Sequence, residues 1–133
     1  MKSNRMIYPI ITMATTLLFS NIAAADAKME ELAANSGCLT CHSIVSPKGN
    51  NKSSKELPVG PSFSDIATRF HSNEHYVTYE ELVRTIKYGS SPYRSHWKGK
   101  ITGLAMPPNG ESMSDVDMNK LLIWILSLND QQS

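Results

Sequence analysis

The chain has 133 residues, 41% of them hydrophobic, and a formal net charge of +1 from 13 basic and 12 acidic side chains. That length predicts one domain, and so even a charge balance argues against nucleic-acid binding, which calls for a basic excess or stripe. With only two cysteines, no more than one disulfide can supplement a modest core.

The chain opens with "MKSNR", a short positive stretch, followed by the uncharged apolar run "MIYPIITMATTLLF" and the small-residue end "SNIAAAD". This pattern reads as a secretory signal peptide over residues 1–25, cleaved after Ala25, which leaves 26–133 as the mature domain and predicts a periplasmic location. An uncleaved anchor is the competing reading, but the run falls short of the ~20 apolar residues that span a bilayer. The mature part carries eleven Lys plus Arg against twelve Asp plus Glu, and its longest apolar run, "LLIWIL" at 121–126, is too short to cross a membrane.

Good helix formers over 27–36, "AKMEELAANS", predict a helix ending near Gly37. Residues 46–56, "SPKGNNKSSKE", are polar and aperiodic and read as an exposed loop. In "VGPSFSDIATRF", Phe63, Ile66, Ala67 and Phe70 recur at i, i+3, i+4 and i+7, an amphipathic helix of about two turns. Thr78 and Glu81 have capping-box spacing at the head of a helix closed by Gly89. Residues 89–113 form a second long loop, rich in Gly, Pro and Ser. Ser114 and Asp117 start a last helix that runs to Leu128; its apolar run alone would also suit a buried strand. The expectation is an all-α domain of about four helices with two long loops, and long loops in a small domain are usually functional.

Both cysteines fall within "GCLTCHSI", residues 37–44. Residues three and four apart share a helical face, so Cys38, Cys41 and His42 would project to one side. A covalently held haem needs that arrangement: two thiols add to its vinyl groups as thioethers, and the imidazole reaches the iron. C-x-x-C-H is the haem c attachment signature, and it fits an exported chain. Three other readings compete. A thioredoxin-like dithiol wants a βαβ context, and no strand stands out. A structural zinc site wants four ligands. A chance disulfide beside a surface histidine leaves the long loops unexplained.

In these features the chain resembles the small bacterial monohaem class I cytochromes c. The resemblance covers residues 27–130 and rests on "GCLTCH", "VGPSFSDIATRF", "AMPPN" and "LLIWILSL", in that order. It implies an all-α class I cytochrome c fold, about four helices wrapped around one covalently attached haem c. It further implies that Cys38 and Cys41 attach the haem and that His42 is the proximal iron ligand. The carbonyl of Pro61 would accept a hydrogen bond from the His42 ring, and Met106 would be the distal ligand. Met113 and Met118 are rivals to Met106, although Met118 sits inside a predicted helix; His71, His75 and His96 could each instead give a bis-His site. Trp97 and Arg94 would hold a haem propionate; the competing reading of Arg94, Lys98 and Lys100 is a solvated loop. Trp124 would pack against Gly37, Ala33 or Ala34 where the terminal helices cross.

The implied function is transfer of single electrons between redox protein partners, a donor and an acceptor, by a protein that is not an enzyme. It would act as a monomer or a loosely associated subunit. Two alternatives stand beside it: a haem c protein with an open or displaceable distal site for diatomic ligands or peroxide, and the electron-accepting subunit of a larger periplasmic oxidoreductase. The chain departs from the compact pattern in the seventeen residues between His42 and Gly60 and in the stretch from Trp97 to Met106.

Overall fold

The computed structural model describes residues 24–46, 57–72, 77–91, 93 and 96–129. Residues 1–23, nearly all of the 46–56 loop, His75 and Arg94 lie outside the described residues. Within them the regular elements are all helical, as expected: α1 over 24–35, a 3-10 turn at Cys38–Thr40, α2 at Phe63–His71, α3 at Tyr79–Tyr88 and α4 at Asp115–Ser127.

Each of α2, α3 and α4 starts where a hydroxyl can satisfy an amide that the helix itself leaves unpaired. Ser62 Oγ accepts from the Asp65 amide at 3.0 Å. Thr78 Oγ1 accepts from the Glu81 amide at 3.2 Å, and Glu81 Oε2 accepts in return from the Thr78 amide at 3.1 Å, completing the capping box. Thr78→Ala therefore removes one half of an exposed box and should cost about 1 kcal/mol. Urea titration checks this as a lowered midpoint at unchanged slope.

At α4 the arrangement differs. Ser114 Oγ accepts from the Asp117 amide at 3.1 Å, but the Ser114 hydroxyl donates to the Asp117 carboxylate at 2.8 Å. Aspartate is one methylene shorter than glutamate, and here it bonds the hydroxyl instead of closing a box. That bond, followed by the one from Lys120, holds the Asp117 carboxyl below its ordinary value.

Helix α4 is the centre of the fold and packs against both α2 and α3. Leu121, Leu122, Trp124, Ile125 and Leu128 are buried, whereas Ile123 in the same run points outward. Burial on several sides explains why this run lacks a clean helical period. Helix α1 joins the core through Ala33 and through a bond from the Trp124 indole N–H to Asp26 Oδ1 at 3.1 Å. Trp124 also meets Phe63 edge-on, with ring centroids 6.0 Å apart. Of its three expected small-residue neighbours, Ala33 lies in the same core cluster, whereas Ala34 and Gly37 are exposed.

Candidate functional site

The two cysteines and His42 sit on a single tight turn after α1. Gly37 is left-handed at φ 76°, and the chain then winds as a 3-10 turn instead of the regular helix expected. The Cys41 and His42 amides both donate to the Cys38 carbonyl, at 3.2 and 3.0 Å. The i+3 and i+4 relation is thus kept over one turn. Cys38 and Cys41 are half-buried and not joined to each other.

The segment leading into α2 holds this turn from the other side. The Gly60 amide donates to the Cys41 carbonyl at 2.9 Å, and the Phe63 and Ser64 amides donate to Ser43 and Ile44 at 2.9 and 3.0 Å. Gly60 allows this close approach: a Cβ there would stand 3.0 Å from both the Cys41 carbonyl and His42 Cε1, so a larger residue would push the turn away. This closeness brings His42 Nδ1 within 2.6 Å of the Pro61 carbonyl. A carbonyl can only accept, so Nδ1 carries the ring proton and Nε2 keeps its lone pair. Phe63 stacks on the same imidazole, centroid to centroid 5.4 Å and 22° between planes.

Met106 comes from the long loop after α3. Its amide donates to Ser90 Oγ at 2.8 Å, and the Ser90 amide donates to its carbonyl at 3.0 Å. Gly89 makes room for this pairing, since a Cβ there would come 2.6 Å from the Met106 carbonyl. Earlier in the loop, Thr102 and Gly103 donate to the carbonyls of Pro58 and Val59 at 2.8 and 2.9 Å. The loop is therefore fastened both to the end of α3 and to the segment that holds His42.

Between these walls lies a cavity of about 510 Å³, and Cys38, Cys41, His42, Pro61, Trp97 and Met106 all line it. Residues separated by up to 68 positions thus meet around one space. Among the rivals, Met113 and Met118 are buried in the hydrophobic core, the latter at 0% exposure. His71 lies off the cavity wall and donates through Nε2 to the Leu126 carbonyl at 3.0 Å. His96 is exposed and does line the cavity.

Sequence reasoning passed over Arg69 and Arg84, which also line the cavity. The Arg69 guanidinium lies 5.7 Å from the centre of the Trp97 ring, and its Nε is buried with no hydrogen-bond partner among the described residues. Arg69 follows Ile66 by three residues, so its place on that apolar face is a signal the sequence does carry.

The donor set separates the competing chemistries. Burial pushes the Cys38 thiol above its ordinary value, against a smaller downward pull from its backbone hydrogen bond. A reactive dithiol needs the reverse shift, towards thiolate. Two half-buried thiols on one turn, an imidazole with its Nδ1 proton committed, and an apolar cavity walled by a thioether and guanidinium groups instead fit a covalently attached haem.

No protein-family model matches the chain. It is 30% identical to cytochrome c-552 of Hydrogenobacter thermophilus over 99 residues, 74% of this chain and 80% of that protein. It is 32% identical to cytochrome c-551 of Pseudomonas aeruginosa over 112 residues, 84% of this chain and 86% of that one. The crystal structure of Nitrosomonas europaea cytochrome c552 superimposes with a TM-score of 0.50 at 32% identity, covering 74% of this chain and 98% of that one. With the C-x-x-C-H turn and its cavity, this similarity shows that the chain belongs to the small monohaem class I cytochromes c, electron-transfer proteins whose cofactor is one covalently attached haem c.

Proposed function

We propose that the protein is a periplasmic single-electron carrier whose iron is held by His42 and Met106. The observation that carries this reading is the cavity wall: of the methionines among the described residues, Met106 alone stands on it, together with Cys38, Cys41 and His42. When bound, the haem supplies a one-electron ferric/ferrous couple. Everything else is the work of the chain. Cys38 and Cys41 would hold the haem through thioether links to its two vinyl groups, and the tight turn keeps both residues on the cavity wall. The Pro61 carbonyl holds the Nδ1 proton, which orients the ring and strengthens Nε2 as a donor. The Met106 thioether is soft and favours the reduced state. Pro107 and Pro108 stiffen the loop that presents it.

With His42 and Met106 both given to the iron, the cavity would offer no site for a substrate, and the protein would serve a donor and an acceptor without making or breaking bonds in either. No helix among the described residues is long and apolar enough to cross a membrane. Residues 1–25 serve as the signal peptide that delivers the chain across one.

The test is the visible and near-infrared spectrum of the oxidised protein, made in a host that attaches haem c. The expected result is a haem c spectrum with a sulfur-to-ferric-iron charge-transfer band. Haem without that band would move the distal position to His96 or leave it open to ligands. A protein without haem would end the reading.

A further inference from the structure

Under this haem reading, we propose that Arg69 is a carboxylate-binding residue of the cavity: its Nε–H, held against the Trp97 ring, donates to a haem propionate. Ile66, Arg69 and Phe70 stand at i, i+3 and i+4 on α2, and all three line the cavity. A positively charged side chain is thus built into the otherwise apolar inner face of that helix.

The Arg69 Nε is shielded from solvent and has no hydrogen-bond partner among the described residues. Such a group is unfavourable to leave unpaired, and a guanidinium cannot escape by losing its proton. The Trp97 face attracts the cation at 5.7 Å but offers no lone pair to the N–H. Among the described residues Glu81 is the one acidic side chain on the cavity wall; its Oε2 accepts from the Thr78 amide, and it makes no bond to the Arg69 Nε. No acceptor among the described residues meets the Arg69 Nε–H, and a carboxylate of a group seated in the cavity would supply one. A haem brings two, and an arginine whose Nε is shielded from water is a donor type suited to them. Arg84, the other guanidinium on the wall, is exposed and can serve the second.

The experiment uses the haem-loaded, ¹⁵N-labelled protein in its reduced, diamagnetic form, after a pyridine spectrum has established haem c. The Arg69 Nε–H signal, assigned by its loss in Arg69→Lys, should be protected from exchange with water and show a nuclear Overhauser effect to a propionate methylene. Arg69→Gln should lower the reduction potential, because the removed positive charge favours the less positive, reduced state. Arg69→Lys should recover part of that loss, since it restores the charge without the Nε–H. An Nε–H that exchanges freely, or shows no contact with the haem, overturns the proposal whatever the potentials do. A preparation without haem c refutes the functional reading itself, whereas haem with an unprotected Nε–H refutes only the role of Arg69.

Discussion

Met106→Ala should abolish the sulfur-to-iron charge-transfer band completely, lower the reduction potential and let the reduced protein bind carbon monoxide. Among the described residues no other methionine is placed to take over. Met113 and Met118 are buried in the core, and Met29 packs against it from α1. Moving any of them to the cavity would mean unpacking the domain, at a cost of several kcal/mol per buried side chain. Ser90→Ala is the informative companion. It removes the hydroxyl that accepts the Met106 amide at 2.8 Å but keeps the backbone bond from Ser90 to the Met106 carbonyl. Losing one such bond should cost about 1 kcal/mol, so the band should persist while the loop opens more readily to ligands. A Met106→Ala protein that keeps the band, or that still refuses carbon monoxide, would remove Met106 from the iron; His96 would be the next residue to replace.

Much of this site could be read before any fold was known, because its essential parts are local. Cys38, Cys41 and His42 meet by virtue of chain spacing alone, and one turn of either helix type brings them together. The three helix starts at Ser62, Thr78 and Ser114 are also local events, a hydroxyl reaching an amide three residues on. What the spacing could not give was the partner across the cavity. Arg69 looks like an ordinary polar position until the loop bearing Trp97 returns over it. Nothing in "YGSS" announces that Ser90 will fasten Met106, sixteen residues further on. Phe63 scans simply as the first apolar residue of α2, although it also stacks on the imidazole. These contacts are made by aperiodic loops, which carry composition but no face. Their geometry follows from where the helices stop.

Phe63→Ala should be among the most damaging substitutions in the domain. Phe63 is 3% exposed and joins the site to the core: its ring lies 5.4 Å from His42 on one side and 6.0 Å from Trp124 on the other. Its backbone amide also donates to Ser43 at 2.9 Å, one residue past the imidazole, and that bond survives the change. The variant thus isolates the side chain's contribution. Truncating a buried phenylalanine costs about 3–5 kcal/mol, a large share of the roughly 5–15 kcal/mol that holds a domain folded. Denaturant unfolding of the haem-bearing protein, where the covalent bonds keep cofactor and chain together, should show the loss as a lower midpoint. Phe63→Leu should cost less, since it refills part of the space. The cavity left by alanine lies beneath the imidazole, so the His42 ring proton, still held by Pro61 but no longer screened by Phe63, should exchange with water faster in the folded variant. A cost below about 1 kcal/mol would mean that the space closes by local collapse and that the imidazole does not depend on the core behind it.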